Sequence, residues 1–591
     1  MRIRPVALVL CTAVTLLAAD WKPADSPLTT PWTAKVTADR ALPEYPRPQM
    51  ERAKWTNLNG LWDYAIRPKG EARPAEWEGK LLVPFAVESA LSGVKRPLTP
   101  AQRLWYRRTF SAAPAKGTRL LLHFGAVDWR AEVFVNGKPA GTHEGGYDPF
   151  TLDITDALKP GSTQELTVSV WDPTDDALQP RGKQVLNPNG IWYTAVSGIW
   201  QTVWIEPVPA ASIDSLAMTS DIDGHRLRLT VRSAGAADFT ATAKLKGRTV
   251  GTISGKTNAE VSLPLSATEL WSPDLPTLYD LEVKLKSGDS VKSYFGMRSV
   301  EAHADAAGHN RIFLNHQPLF MIGPLDQGWW PDGLYTAPTD DALRFDIEAL
   351  KKMGFNMARK HVKVEPARWY YWCDKLGFLV WQDMPSAMTK TPLSNVRKGI
   401  AEDAVFPAEQ SAGWERELKA IIGALSNAPS IVVWVPFNEG WGQHATNDVL
   451  KMVKALDPTR LVDGPSGWED RGWGDLKDMH NYPGPGMFPV MKDRVSVLGE
   501  FGGLGLPLAG HLWWDKRNWG YKTFTDKAQL QTAYEGLIEK LGPMVKGGLA
   551  AAIYTQTTDV EGEINGLMTY DRQVIKFDSA KLAALHKALT H

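Results

Sequence analysis

The sequence predicts a multidomain chain with an N-terminal β-sandwich, an immunoglobulin-like β-sandwich and a C-terminal (β/α)8 TIM barrel. Three observations carry this. The chain has 591 residues, beyond the ~250–300 at which a single hydrophobic core stops growing. From about 52 to 302 it alternates apolar and polar residues in short runs broken by turns, the signature of antiparallel sandwiches. After about 303 helical stretches alternate with continuous apolar runs that end in polar residues, as parallel strands buried on both faces do.

The N-terminus begins with Arg2 and Arg4, continues through an apolar stretch from Pro5 to Leu17, and offers small residues at Ala18-Ala19. This pattern predicts a secretory signal peptide over 1–19, and with it a periplasmic or secreted protein. The mature chain then keeps one cysteine, Cys373, so no intramolecular disulfide is expected. Residues 20–51, rich in Pro, Thr and charge, are expected to run over the surface as an N-terminal extension. The first sandwich is placed at 52–209, where Ala131-Glu132-Val133-Phe134-Val135 followed by Asn136-Gly137 gives a strong hairpin signal. The second, at 210–302, repeats the pattern in smaller form. The barrel is placed at 303–591, with eight candidate strands. Their polar tips include Asp326, Arg359 to His361, Gln382-Asp383, Asn438-Glu439, Ser466, His480 with Tyr482, Glu500, and Tyr554 with Gln556.

Lys+Arg and Asp+Glu each total 66, so there is no basic excess of the kind that marks nucleic-acid or anionic-membrane partners. Beyond the N-terminus no stretch is long and apolar enough to span a membrane. The 25 tryptophans fill sandwich cores and also favour a carbohydrate ligand, because flat aromatic faces stack on sugars.

Two carboxylates carry the chemistry. Glu439 follows the fourth candidate strand and Glu500 the seventh, and barrel closure brings those tips across one mouth. Facing carboxylates are the usual apparatus for glycosidic cleavage: one donates a proton to the leaving oxygen, the other attacks or activates water. Repulsion and burial push their pKa values apart and so assign the roles. Asn438 is placed to hold the substrate's 2-hydroxyl. Trp441, just beyond Glu439, and Tyr554, at the end of the eighth run, are expected to line the same mouth.

Several runs resemble glycoside hydrolase family 2. They are Val133-Phe134-Val135-Asn136-Gly137 through Gly145-Gly146-Tyr147-Asp148-Pro149-Phe150, then Ser197-Gly198-Ile199-Trp200-Gln201-Thr202-Val203-Trp204, then Trp271 to Tyr279, and Gly354 to His361. The resemblance covers nearly all of the mature chain, and the order of the runs is its strongest part. It implies a sugar-binding-like first sandwich and a retaining, exo-acting, β-galactosidase-like glycosidase. In that mechanism Glu439 would be the general acid/base and Glu500 the nucleophile of a double displacement. It further implies that Arg359 and Tyr482 hydrogen-bond the nucleophile, and that His361, His480 and Asp326 line the sugar pocket. No cofactor or metal is expected. The chain departs from the family in lacking a Trp on the eighth strand and an Asn-x-Lys-Gly run for a uronic carboxylate. The preferred sugar therefore stays open among β-galactosides, β-mannosides and furanosides (galactofuranosides or arabinofuranosides).

Two rivals remain: a non-catalytic carbohydrate-binding protein, and an inverting hydrolase with carboxylates roughly 6.5–9.5 Å apart rather than about 5–5.5 Å. Other motifs fail. Gly255-Lys256-Thr257 has Val250 where a phosphate loop needs Gly. Gly464-Pro465-Ser466-Gly467 is followed by Trp468, which breaks a nucleophile elbow. Asp559, Glu561 and Glu563 alternate like a calcium loop but meet Ile564 where Gly is required.

Overall fold

The computed structural model describes residues 21–113, 115–387 and 403–590; the stretch read as a signal peptide lies outside the described residues. A six-stranded antiparallel sheet (Gly79–Val83, Gly60–Pro68, Gln102–Ser111, Thr163–Trp171, Arg130–Val135, Lys138–Glu144) faces a four-stranded one. Between them Trp62, Leu104, Tyr106, Val133 and Val168 form a sealed core. The Asn-Gly hairpin forms as the sequence predicts: Asn136 and Gly137 both take positive φ, 52° and 76°, the backbone that a two-residue primed turn requires. A second, smaller sandwich follows, with sheets of three and four strands over residues 215–295.

The C-terminal region contains eight parallel strands: β1 (Met321–Asp326), β2 (Met357–Lys360), β3 (Leu379–Asp383), β4 (Ile431–Val435), β5 (Leu461–Val462), β6 (Leu476–Asn481), β7 (Val495–Gly502) and β8 (Leu549–Thr555). They pair in sequence order, β8 returns to β1, and a parallel bridge between Asp463 and Leu476 joins β5 to β6. The lumen is solid: Met321, Leu325, Met357, Leu379, Trp381, Val433, Val497 and Ile553 meet there. A ribbon at its base (Val300–Ala304 and Asn310–Leu314) adds Val300, Ile312 and Leu314 to the same cluster.

Helices α1 (Asp340–Lys352), α2 (Ala367–Leu376), α3 (Ala408–Leu425), α4 (Thr446–Leu456), α5 (Lys527–Lys546) and α6 (Ser579–Thr590) follow β1 to β4, β7 and β8. The expected helices after β5 and β6 do not form among the described residues. Those links carry Gly464, Pro465, Gly467, Gly472 and Gly474, then Pro483, Gly484, Pro485 and Gly486, a composition that removes amide donors and stiffens or frees φ against helical values.

The first sandwich and the barrel share one core, in which Ala126, Tyr147, Tyr193, Val196 and Trp200 pack with Trp329, Trp330 and Tyr335. Trp200 Nε1 donates to Gly146 O, Thr336 Oγ1 donates to Trp200 O, and Glu417 accepts from the Tyr147 amide. Arg298 ties the second sandwich to the barrel by donating to the carbonyls of Pro429, Thr459 and Ile431. The extension up to Glu51 threads between the domains, and Arg52 beyond it donates to Glu206 at 2.6 Å and to Asp289 at 2.9 Å. Cys373 is buried. Among the described residues no helix is long and apolar enough to cross a membrane.

Arg52 is the shared cation of two nearly sealed carboxylates, Glu206 and Asp289. Arg52→Met strips Asp289 of its cation and leaves Glu206 with Arg47, and losing one member of a buried ion pair typically costs ~3–5 kcal/mol. A lowered urea midpoint is expected; an unchanged midpoint shows that the pair carries no stability.

Candidate active site

Strand alternation decides which tips reach the mouth. On β2, Met357 belongs to the lumen and Ala358 to the helix layer, so Arg359 points inward and Lys360 outward. On β3, Leu379 and Trp381 face the lumen, which carries Asp383 in behind them. On β6, Leu476 sets Asp478 and His480 inward.

β7 needs a correction to this rule. Val495 and Val497 face the lumen, which would place Gly499 inside and Glu500 outside. The register with β6 slips at this point, so that Met479 pairs with Leu498 but His480 pairs with Glu500. The bulge turns Glu500 inward. Gly499 makes it possible: a Cβ there would sit 2.0 Å from Asp478 Oδ2. At the tip of β4, Asn438 bridges to Ser466, and Glu439 takes φ 48° before Gly440 at φ 75°. Two successive left-handed residues swing the Glu439 carboxylate over the mouth.

The assembled site is compact. One carboxylate oxygen of Glu439, one of Glu500 and a nitrogen of His480 lie within 4.8 Å of one another. Arg359 is fully buried and its donors reach Asp383 (3.0 and 2.9 Å), Asn438 Oδ1 (2.7 Å) and Glu500 Oε1 (3.3 Å). Tyr482 donates to Glu500 Oε2 at 2.6 Å and its hydroxyl lies 2.7 Å from Thr555 Oγ1. Tyr521 stacks on Tyr482 with centroids 3.7 Å apart. His480 meets Glu439 Oε1 through Nδ1 and Ser466 Oγ through Nε2, both at 2.8 Å, and Ser466 donates to Asp478. His361 Nδ1 is 2.9 Å from Asp383.

Charge in the site is ordered. Burial alone would lift the Glu500 pKa, but the charges of His480 and Arg359 and the Tyr482 hydrogen bond hold it well below the usual carboxylate range. His480 is raised: burial disfavours the imidazolium, but the charge of Glu500 and the bond to Glu439 outweigh that. His361 is pushed far down, chiefly by burial and then by the charges of Lys183 and Arg359. It is therefore a neutral donor or acceptor, and the cationic hold on Glu500 comes from His480 and Arg359. The Glu439, His480 and Glu500 trio has the donor types of a metal centre, but its atoms are already engaged with one another. The Arg359 guanidinium also lies against Glu500, 3.3 Å from its Oε1.

Of the expected site residues, Glu439, Glu500, Asn438, Arg359, His361, His480 and Tyr482 converge here, and Trp441 borders them with its ring 6.1 Å from His361. Asp326 and Tyr554 do not. Asp326 follows the lumen residue Leu325, so it faces the helix layer, where Lys360 Nζ holds it at 2.7 Å. Tyr554 follows the lumen residue Ile553 and packs edge-on against Phe501 and Tyr534; its neighbour Thr555 is the one that points in. The sequence marks Asp383 and Ser466 as strand tips without giving them a part in the site, and it leaves Asp478, Thr555 and Tyr521 unmarked; alternation from a fixed lumen residue points to Asp383 and Asp478. Sequence reading also missed the first sandwich's share of the mouth, where the Trp192 ring lies 5.1 Å from that of Trp441.

Family models match in the expected order: "Glycosyl hydrolase 2 galactose-binding domain-like" over residues 96–195, "Glycosyl hydrolases family 2" over 201–298, and "Glycosyl hydrolases family 2, TIM barrel domain" over 309–478. Together they take in more than half of the chain. The chain belongs to glycosyl hydrolase family 2. Its relatives include a putative beta-glucuronidase of Formosa agariphila, 27% identical over 57% of this chain and 39% of that one. A beta-galactosidase of Thermoanaerobacter pseudethanolicus is 26% identical over 61% of this chain and 48% of that protein. The chain thus spans less than half the length of these two family members. Among solved structures, a beta-D-glucuronidase of Dictyoglomus thermophilum shares the fold with a TM-score of 0.72 at 18% identity, covering 92% of this chain and 98% of that one.

Two variants test the geometry. Gly499→Ala drives a methyl into Asp478 and rotates Glu500; a 1 Å misplacement can cost about 10²-fold in rate, so kcat is expected to fall at least that far with the fold retained by circular dichroism. His480→Gln removes a cation that keeps Glu500 ionised. Because that cation depresses the Glu500 pKa, its loss moves the acid limb of kcat/KM to higher pH, and an unmoved limb refutes the electrostatic role.

Proposed function

We propose that the protein is a retaining, exo-acting β-glycosidase that removes a terminal sugar by double displacement at Glu500 and Glu439. The observation that carries this reading is the pair itself: an oxygen of Glu439 and one of Glu500 approach within 4.8 Å across the mouth, which supports the closely set pair of a retaining enzyme. Glu500, ionised between Arg359 and Tyr482, attacks the anomeric carbon. Glu439 protonates the departing oxygen, then takes a proton from the water that releases the sugar. Asn438 adds support. Its Oδ1 is taken by Arg359, while its buried Nδ2 has no protein partner. An orphaned buried donor costs ~1–3 kcal/mol, and a sugar 2-hydroxyl would satisfy it at the point where such a bond strengthens in the transition state. The signal peptide expected over residues 1–19 would place this action on carbohydrate outside the cytoplasm.

The relatives' names place both glucuronides and galactosides among the substrates to assay, beside mannosides and furanosides on nitrophenyl aglycones. Glu500→Gly is expected to abolish turnover, and added azide should yield a glycosyl azide of inverted configuration. Glu439→Ala should lose about 10²–10⁴-fold and recover with azide to give the retained product. A folded Glu500→Gly protein that forms no azide adduct with any cleavable glycoside would sink the mechanism.

A further inference from the structure

The cations around the mouth are nearly all committed. Arg359 is shared by Asp383, Asn438 and Glu500. Lys360 binds Asp326 and Glu365, and Lys363 binds Glu365 and the carbonyls of Gly328 and Tyr335. Arg572 is taken by Asp346 and Lys576 by Asp559. Lys183 differs. Its residue is 5% exposed, yet among the described residues no hydrogen bond or ion pair within 4.0 Å engages its ammonium. Nζ instead lies 5.9 Å from the ring centroid of Trp441 and 5.5 Å from that of Tyr193. Trp441 stands two residues beyond Glu439 and packs beside His361, so the ammonium is at the sugar pocket.

Its position is built in. Pro180 pairs with Ala387 in an antiparallel bridge, and the amides of Arg181 and Gly182 both donate to Ser386 O, at 3.0 and 3.1 Å. Gly182 (φ 58°) presses against Val362 O, where a Cβ would sit only 2.4 Å away. On the far side, Tyr193 donates to Glu563 and the Thr194 amide to Glu561 at 2.9 Å. The loop is thus clamped to barrel segments on both flanks, and Lys183 is held in place although it comes from the other domain. A buried ammonium with no acceptor is costly, and Trp441 and Tyr193 offer only ring faces. Glu563, which feels its charge, is bonded to Tyr193 and is pushed up by burial, although Lys183 opposes that shift.

We propose that Lys183 is an anion subsite contributed by the first sandwich, and that the terminal sugar of the substrate carries an acidic group, a carboxylate or a sulfate ester, which this ammonium binds. The inference rests on the glycosidase reading above and narrows its substrate class. An ammonium-to-anion bond in a nearly dry pocket would separate acidic from neutral sugars and leave the chemistry at Glu439 and Glu500 unchanged.

The test compares nitrophenyl β-D-glucuronide, β-D-galacturonide and β-D-galactoside 6-sulfate with the neutral glucoside and galactoside, for the wild-type chain, Lys183→Met and Lys183→Arg. At least one acidic substrate should exceed its neutral counterpart in kcat/KM by about 10- to 100-fold. Lys183→Met should erase that preference, mainly through KM, with neutral hydrolysis kept, and Lys183→Arg should restore part of it. The uronides and the sulfate ester tell the two sources of charge apart. Equal losses on acidic and neutral substrates, or a wild-type preference for neutral sugars, would overturn the proposal and leave Lys183 as a charge balancing Glu563. Mass labelling of Glu500 by neutral and uronic 2-deoxy-2-fluoroglycosyl fluorides separates the two failures. Labelling with no dependence on Lys183 overturns the subsite alone, and no labelling or cleavage of any kind overturns the glycosidase reading with it.

Discussion

The site is organised around a single buried guanidinium. Arg359 is sealed from solvent and spans strand tips two, three, four and seven through Asp383, Asn438 and Glu500. A buried charge survives only when paired and hydrogen-bonded, and Asp383 supplies the full counter-charge in a two-pronged contact. That leaves Glu500 as a second, longer contact at 3.3 Å. Glu500 is held ionised by a cation that does not bind it tightly, which would suit the proposed nucleophile, a group that must leave its ion pair to form a bond. Arginine is suited to the position because its planar fork meets several acceptors at once, which a lysine ammonium would do without the same geometry.

How much of this was legible depended on periodicity. Eight apolar runs with polar tips announced the barrel, and the order of motifs announced the family. Knowing the tips, however, does not reveal which face each side chain takes. Asp326 and Tyr554 were assigned to the mouth because they stand at strand ends, yet each follows a lumen residue and so turns away. Glu500 faces the mouth although strict alternation would have excluded it, because a bulge at Gly499 moves the register by one residue. That bulge is a tertiary feature, stabilised by Asp478 from the adjacent strand, and a single strand's sequence does not encode it visibly. The missing helices after β5 and β6 were more accessible, since their Gly and Pro content argues against helix directly.

The first sandwich, expected as a sugar-binding-like domain of its own, shares a core with the barrel. Tyr147, Trp200 and Tyr193 are as deeply buried against barrel residues as any barrel side chain. The acidic alternation at Asp559, Glu561 and Glu563, which failed as a calcium loop, has a physical role in this junction. Glu561 and Glu563 accept from the incoming loop at Thr194 and Tyr193. Contacts between residues 370 positions apart leave no trace in local pattern, and this is why Lys183 and Trp192 could not be found from the chain alone.

The tip of β4 concentrates departures from ordinary folding rules. Glu439 is left-handed without being glycine, which costs of order 1–3 kcal/mol, and Asn438 keeps a buried amide without a partner. Neither improves the folded state. Both are tolerated because the strand behind them, Ile431 to Val435, is sealed in the core and the bridge to Ser466 fixes the exit of the chain. If the strain merely reflected a poor loop, Gly440 and Gly442 next in sequence could have absorbed it without placing a carboxylate there. Strain falls instead on the residue whose carboxylate must stand over the mouth, and the unmet donor falls on its immediate neighbour. A sugar bound between Glu439 and Glu500, as proposed, would accept from the unpaired Asn438 donor and lie under the Glu439 carboxylate, so both departures would serve the proposed reaction.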